Sequence, residues 1–272
     1  MKVKVLVENT SVSSEYKSKH GLCLYIQTAK HKILFDLGPN GLFLENARKM
    51  GVNISEIDTV VISHGHVDHA GALSLFLQHN SSAKIYIRES AFDRHYTKVL
   101  GLPFSVGLDR SLKNNNQIIF TNETEVIDDE LTLFSDVQSK ELTSLSNKAL
   151  LAEINGKKQI DDFKHEQNLL ITEGDKAVLF AGCAHAGIVN IKSRAQQLTG
   201  APLKIIGGFH LYNPISKKHE SKELIDKIAE RLNDGETRYY TCHCTGQWAY
   251  NIMKEKLKDN LEHISTGEEI EI

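Results

Sequence analysis

The sequence predicts an α/β protein, and two patterns carry that prediction. Residues 56–88 can form a strand, a helix and a second strand, which is the order of a βαβ unit. From residue 166 to residue 264, strands and helices alternate again. Both halves of the chain therefore combine β-rich segments with βα alternation.

The N-terminal third is expected to be mostly strands. Residues 2–7 alternate polar and apolar side chains, as a half-buried strand does. The continuous apolar run TVVI within residues 56–63 fits a strand that is buried on both faces. The other elements expected here are strands at 21–28, 32–35 and 84–88, a short helix at 42–50 and a helix at 71–79.

The middle of the chain is less regular. We expect one domain over residues 1–272, with an irregular insertion or lid at about 91–164, because most of this stretch lacks a clear hydrophobic period. One hairpin is expected within it, built from strands at 117–126 and 131–136 around Asp128 and Asp129.

Regular structure resumes after Glu166. A Glu-Gly-Asp turn separates apolar runs at 168–172 and 177–181, which predicts a hairpin. Gly200 is expected to end a helix at 188–199, and Ser221 to cap a helix that extends to residue 232. The remaining elements are strands at 203–206, 238–241 and 261–264 and a helix at 247–257.

Composition limits the class of protein. In 272 residues, 40% are hydrophobic, enough for a sizeable core, and 32 basic residues against 35 acidic ones argue against nucleic-acid binding through bulk charge. Four cysteines are too few for a disulfide scaffold, and neither a membrane-spanning run nor a secretory leader is visible. We therefore expect a cytoplasmic protein with a small-molecule partner, and homo-oligomerisation stays open. The unusual count is 13 histidines.

The strongest motif is Ser-His-Gly-His-Val-Asp-His, which follows the buried strand directly. Neutral imidazoles and a carboxylate are ligands for Zn²⁺, Fe²⁺ or Mn²⁺. In an extended segment His64 and His66 point to the same side and can bind one ion together. Asp68 and His69 come where the chain turns into a helix and can serve a second ion.

Two later histidines have the same placement. His185 and His243 each follow a predicted strand and precede a helix, and ligands gather at the carboxyl ends of strands in α/β proteins. We therefore expect two groups of three ligands: His64, His66 and His185, and Asp68, His69 and His243. If each group binds one ion, the resulting pair of ions suits hydrolysis through a metal-bound hydroxide. Zn²⁺ is the first choice for one or two ions, with Fe²⁺ and Mn²⁺ as alternatives.

Thiol ligands are a less favoured alternative. If residues 238–244 form one strand, Cys242 and Cys244 share a face and His243 points the opposite way. The thiols would then not bind the same ion as His243, so we expect buried, non-ligating cysteines. We interpret six further histidines, in turns or polar segments, as exposed: His20, His31, His79, His95, His219 and His263.

The motif at residues 64–69 resembles the signature of the metallo-β-lactamase superfamily. Three strings resemble more narrowly the 7,8-dihydropterin-6-ylmethyl-4-(β-D-ribofuranosyl)aminobenzene 5′-phosphate synthase family of methanopterin biosynthesis: GCAHAGIVN from Gly182, GGFHL from Gly207, and the Cys-Thr-Gly after His243. The similarity covers nearly the whole chain, beginning at Val7-Glu8-Asn9.

This resemblance implies a four-layer αβ/βα sandwich, with the site along one edge between two sheets. It implies that Asp36, in the string ILFDLG, orients ligand histidines without binding metal itself. It also suggests a phosphate-bearing, pterin-related or aminobenzene substrate. Thr245 is a candidate anion contact or a helix cap, and Asn190 a candidate substrate contact.

One departure from the superfamily pattern stands at residues 207–210. Many members carry a bridging aspartate after the corresponding strand, whereas this chain has Gly-Gly-Phe-His. The second ion would then bind more weakly, or His210 would replace the acid, or His210 would face the substrate as a general acid. A structural role for His210 is the plain alternative.

The most favoured function is a metal-dependent hydrolase acting on a phosphorylated small molecule, with Asp68 and His210 as its catalytic residues. Thioester or lactone hydrolysis uses the same metal chemistry and is the second hypothesis. A non-catalytic sensor that kept the metal site is the third, and the missing acid is the feature in its favour. Residues 161–162 and 165–167 are candidate substrate contacts from the insertion.

Overall fold

Two seven-stranded β-sheets form the centre of the structure, a computed structural model that describes residues 1–272. The strands of the first half of the chain are β1 (Lys2–Val7), β2 (Cys23–Gln27), β3 (Lys32–Phe35), β4 (Thr59–Val61), β5 (Lys84–Ile87), β6 (His95–Val99), β7 (Leu102–Ser105), β8 (Ile118–Phe120), β9 (Thr124–Val126) and β10 (Leu131–Phe134). Those of the second half are β11 (Leu150–Ile154), β12 (Lys157–Ile160), β13 (Asn168–Glu173), β14 (Lys176–Ala181), β15 (Leu203–Gly207), β16 (Tyr212–Asn213), β17 (Lys218–His219), β18 (Arg238–Thr241), β19 (Leu261–His263) and β20 (Glu269–Glu271).

Six α-helices accompany these strands: α1 (Leu42–Lys49), α2 (Val67–Ala70), α3 (Leu73–His79), α4 (Ile188–Thr199), α5 (Lys222–Leu232) and α6 (Gln247–Leu257). Local signals account for two helix ends. The Ser221 hydroxyl accepts the Leu224 N–H at 3.2 Å and caps α5, and Gly200 ends α4 in a left-handed conformation. No helix combines the length and the apolar character needed to cross a membrane.

Each of the two sheets contains four parallel strands that are neighbours in the sheet. The first sheet has the order β20-β1-β2-β3-β4-β5-β8, and β3, β4, β5 and β8 are parallel. The second has the order β19-β18-β15-β14-β13-β10-β9, in which β14, β15, β18 and β19 are parallel. The predicted hairpin of β13 and β14 is present in register.

Apolar side chains form three core clusters, one between the two sheets and one on the outer face of each sheet. The central cluster joins both sheets, with Phe35 of the first sheet against Phe180 of the second. Phe43 and Phe76 pack helices α1 and α3 onto the outer face of the first sheet, and the apolar faces of α4, α5 and α6 pack onto the second. The four-layer αβ/βα sandwich implied by the family resemblance is therefore confirmed.

The segment 91–164 is more regular than we expected. Its strand β8 extends the first sheet beside β5, and β9 and β10 extend the second beside β13. Strands β6, β7, β11 and β12 form a separate four-stranded sheet in the order β12-β11-β6-β7. The expectation of an irregular insertion was wrong because these strands are short and two of them are exposed along their length, which hides the hydrophobic period.

Candidate metal centre

The loops that follow β4, β14 and β18 meet at one edge of the sandwich. The loop after β4 carries His64 and His66, and the loop after β14 carries His185. The imidazole ring centroids lie 4.6 Å apart for His64 and His66, 5.0 Å for His64 and His185, and 5.2 Å for His66 and His185. These three histidines form what we call the first ligand group.

The first ligand group has three buried nitrogen atoms without a hydrogen-bond partner, namely the Nε2 atoms of His64, His66 and His185. Burial lowers the pKa of each ring well below its usual value, so all three are neutral. An unpaired buried nitrogen is costly, and a metal ion bound by these three rings would satisfy all of them.

Hydrogen bonds set the tautomers of two rings in this group. The Ser63 hydroxyl donates to Asp36 Oδ2 at 2.7 Å, so its oxygen accepts the His64 Nδ1–H at 2.9 Å. The His185 Nδ1 donates to the Asn147 side-chain oxygen at 3.1 Å. Because both Nδ1 atoms carry the proton, both Nε2 atoms present a lone pair to a metal.

Asp68, His69 and His243 form the second ligand group. The Nε2 atoms of His69 and His243 are 3.1 Å apart, and Asp68 Oδ2 lies 3.6 Å from the first and 3.4 Å from the second. Burial opposes a charge on His69, but the carboxylates of Asp36 and Asp68 outweigh it and raise the pKa of His69 to about 9. The same two carboxylates would stabilise a bound cation in place of the proton on His69.

The sheet edge is shaped so that these loops come close together. A Cβ atom at Gly182 would lie 2.2 Å from the Ser63 hydroxyl oxygen and 3.2 Å from His64 Nδ1. Only glycine permits that approach of β14 to the first motif. Asp36 accepts the Ser63 backbone N–H at 2.7 Å and the His69 Nδ1–H at 2.7 Å, which is the orienting role implied for it.

Two buried acids hold two of the loops that carry the candidate ligands, and one of them, Glu166, was expected to contact substrate instead. Glu166 accepts the backbone N–H of His185 at 2.6 Å and that of Ala186 at 2.9 Å. Burial raises the pKa of its carboxyl to about 7, although these two hydrogen bonds act to lower it. Glu8 accepts the backbone N–H of His243 at 2.8 Å. A single acid far along the chain gives no periodic signal, which is why sequence reasoning missed these roles.

A cavity of about 250 Å³ opens beside both ligand groups. It is lined by three candidate ligand histidines (His66, His185 and His243), by the acid Asp68, and by two further histidines, His20 and His210. His210 has a left-handed backbone, with φ of 51°, and neither of its buried ring nitrogens has a partner. Its ring centroid lies 4.2 Å from that of His185. The cavity is therefore a site for a small reacting group next to the metal ligands.

We expected His20 to be solvent-exposed; its side chain is 36% exposed, and it lies at the site. Its Nε2 lies 3.2 Å from Asp68 Oδ2, and its ring centroid lies 4.6 Å from that of His243. The fold brings it there because Gly21 packs directly against the Asp68 carbonyl, where a Cβ atom would be 2.4 Å away. The Gly after His20 was the only local signal of this close approach.

His95 was wrongly expected to be exposed, and it belongs to a buried cluster with Asp161 and His165 behind His66. Asp161 Oδ2 accepts from His95 Nδ1 at 2.9 Å and from His165 Nε2 at 3.1 Å. His165 Nδ1 accepts the Gly65 backbone N–H at 2.9 Å. Asp161 and His165 therefore brace the first motif from behind and are not the substrate contacts we expected, because their polar atoms are already paired.

Three other expectations about contacts do not hold. The Asn190 amide donates to the backbone oxygens of Glu141 and Ala186, both at 2.8 Å, and does not line the cavity. The Thr245 hydroxyl accepts the Phe209 N–H at 2.9 Å and is buried, so it acts neither as an anion contact nor as a helix cap. Gln167 donates to the Ile62 and Tyr86 carbonyls, which ties two strands together.

Our interpretation of Cys242 and Cys244 assumed that one strand covers residues 238–244, but the strand ends before these cysteines. Strand β18 stops at Thr241, and His243 has φ of 52°, so side chains no longer alternate across residues 242–244. Cys242 lies in the core between the sheets, whereas Cys244 lines the cavity. Cys183 lines the cavity as well, with its sulfur 3.1 Å from His69 Nε2.

Fold and site together define an αβ/βα sandwich with a histidine- and aspartate-rich candidate metal centre at one edge. The model of the metallo-β-lactamase superfamily matches residues 19–142. The solved structure of Tm1679, a metal-dependent hydrolase of the β-lactamase superfamily, superposes with a TM-score of 0.84 at 29% identity, over 100% of this chain and 99% of that one. The chain therefore resembles the metallo-β-lactamase superfamily in the region that carries the histidine motif and in its overall fold.

Two further similarities cover nearly the full length. The 7,8-dihydropterin-6-methyl-4-(β-D-ribofuranosyl)-aminobenzene-5′-phosphate synthase of Methanocaldococcus jannaschii is 24% identical, over 98% of this chain and 95% of its own length. Zn²⁺-bound PqqB from Methylobacterium extorquens shares the fold, with a TM-score of 0.56 at 14% identity, over 100% of both chains.

Proposed function

We propose that this protein is a metal-dependent hydrolase whose substrate is a phosphorylated small molecule. The observation that carries the proposal is the set of three buried, unpartnered Nε2 atoms of His64, His66 and His185, two of which belong to residues that line the cavity, namely His66 and His185. When bound, divalent ions at the two groups would act as Lewis acids and lower the pKa of water toward neutrality. Zn²⁺ fits this set of imidazoles and carboxylate, as Fe²⁺ and Mn²⁺ also do.

The chain's own residues supply the remaining roles. Asp68 lines the cavity as well as the second group, so its carboxylate can receive a proton from water during attack. His20, 3.2 Å from Asp68 Oδ2, holds that carboxylate in place. His210 has no competing partner, so its ring can donate a proton to a leaving group in the cavity.

The proposed substrate class follows from the full-length likeness to the pterin-related synthase, at 24% identity. We infer a phosphorylated, pterin-related or aminobenzene compound. A cavity of about 250 Å³ is smaller than most sites for drug-sized ligands, so only the reacting end of such a molecule would enter it.

A thioester or lactone is the second candidate substrate, and the chemistry of the cavity wall favours it. No Lys or Arg lines the cavity, and apolar side chains contribute much of the wall, among them Val67, Val106, Leu150 and Ile215. Such a wall suits a neutral acyl group better than a phosphate dianion.

A substrate panel separates these functions. The metal-loaded protein would be assayed on phosphate monoesters and diesters, including aminobenzene and pterin derivatives, and on thioesters and lactones. Asp68→Asn would be compared with His79→Ala, which removes an exposed histidine at the end of α3. We expect phosphoester turnover that falls at least about 100-fold in Asp68→Asn and is unchanged in His79→Ala.

The other outcomes also decide. Turnover confined to thioesters or lactones would support the second candidate. Saturable binding of one of these compounds with no turnover would point to a sensor. Equal background rates in the wild-type protein and Asp68→Asn would overturn the hydrolase proposal.

A further inference from the structure

The end of β15 has no room for a side chain that could bridge two ions. A Cβ atom at Gly207 would lie 1.9 Å from the Ala181 carbonyl oxygen, and one at Gly208 would lie 2.5 Å from the Cys244 sulfur. A carboxylate therefore cannot replace either glycine without displacing its neighbours. If the two ligand groups share a ligand, that ligand is not at position 207 or 208.

Cys183 is the residue placed between the two ligand groups. Its sulfur, the ligating nitrogen of His64 and that of His185 lie within 4.8 Å of one another, and the same holds for its sulfur with the ligating nitrogens of His69 and His243. The sulfur is 3.1 Å from His69 Nε2, and the residue is 3% exposed. No other side chain belongs to a cluster with ligands of both groups.

The other three cysteines are placed differently. The Cys244 sulfur accepts the His210 backbone N–H at 3.2 Å and packs over Gly208, and it clusters with His210 and Cys183 only. Cys242 lies in the core between the sheets, and Cys23 in the core under α1 and α3. All four are free thiols.

We propose that the Cys183 thiolate is the ligand shared by the two metal ions, in the place of the bridging acid found in many superfamily members. On binding, the thiol releases its proton to solvent and the sulfur becomes a ligand to both ions. A thiolate favours Zn²⁺ over Mn²⁺, because it is a soft ligand. This proposal rests on the metal centre of the proposed function and not on its substrate.

Cobalt substitution tests the proposal without an activity assay. The wild-type protein, Cys183→Ser, Cys183→Asp and the matched control Cys242→Ser would be loaded with Co²⁺ in a thiol-free reductant. Absorption spectra and metal content would be recorded on each. We expect a near-ultraviolet thiolate-to-cobalt charge-transfer band in the wild-type protein and in Cys242→Ser. The band should be lost in both Cys183 variants, with the second ion retained only in Cys183→Asp.

X-ray absorption on the wild-type zinc protein provides a second measurement that no folding defect of a variant can obscure. We expect a sulfur scatterer at about 2.3 Å from zinc. A band that persists in Cys183→Ser, or two zinc ions with nitrogen and oxygen ligands alone, would overturn the role of Cys183 and leave the proposed function standing. A wild-type protein that binds no metal would overturn both.

Discussion

Asp36 Oδ2 lies 2.7 Å from Nδ1 of His69, and this contact links the first sheet to the second ligand group. Asp36 follows β3 directly and has a left-handed backbone, with φ of 59°. The same carboxylate accepts from Ser63, which in turn fixes His64. One buried acid therefore orients a ligand in each group, although it touches neither metal position itself.

Replacing Asp36 with Asn should weaken metal binding about 10- to 100-fold, because a neutral amide holds the His69 tautomer less firmly. The dissociation constants would be measured by competition with a chromophoric chelator. Asp175→Asn, in the exposed turn between β13 and β14, is the control. Unchanged affinity in Asp36→Asn would show that His69 does not depend on this contact for binding.

Asp161 should stabilise the fold through its buried contacts with His95 and His165. Both ring nitrogens of His95 lie within hydrogen-bond distance of acceptors, Asp161 Oδ2 and the Ser90 carbonyl. Removing one partner of a buried pair costs about 3–5 kcal/mol, so Asp161→Asn should lower the free energy of unfolding at pH 7 by that order. Urea unfolding of the metal-free proteins would measure it.

The pH dependence of the Asp161 effect has a definite sign. Burial opposes ionisation, but hydrogen bonds from His165 and His95 hold the pKa of Asp161 well below its usual value near 4. The folded protein therefore keeps this carboxylate ionised at pH values where the unfolded chain binds a proton. The stabilisation is fully present above about pH 4 and is lost as the pH falls below it. A wild-type-minus-variant difference that stays constant from pH 7 to pH 3 would contradict this account.

His210 should act on the reaction and not on metal binding. If its ring donates a proton to the leaving group, His210→Ala should lower kcat by about 100- to 10,000-fold and remove one limb of the pH–rate profile. Metal content should stay at the wild-type level. Loss of one ion in this variant would instead make His210 a ligand, and full activity would make it structural.

Much of the fold and the grouping of the main candidate ligands could be predicted from the sequence, because those signals are local. The run TVVI marks β4, and the histidine motif follows it within a few residues. The parallel strands then place His185 and His243 at the same edge, as strand order alone suggests.

The remaining site features depend on contacts between distant parts of the chain. His20 and Asp68, or His95 and Asp161, meet only after the sheets and the four-stranded sheet have assembled. Side-chain alternation also failed at Cys244, because a left-handed residue at His243 ends the strand pattern. The alternation of side chains along a strand, with a period of two residues, does not indicate the residue at which the strand ends.

The central claim is that the histidines and Asp68 at this sheet edge hold divalent metal. Elemental analysis tests it most directly, on protein purified without added metal or chelator, with His66→Ala and the surface control His79→Ala measured alongside. We expect one to two metal ions per chain in the wild-type protein and in His79→Ala, and a clear loss of bound metal in His66→Ala. Well under one ion per chain in the wild-type protein would contradict it.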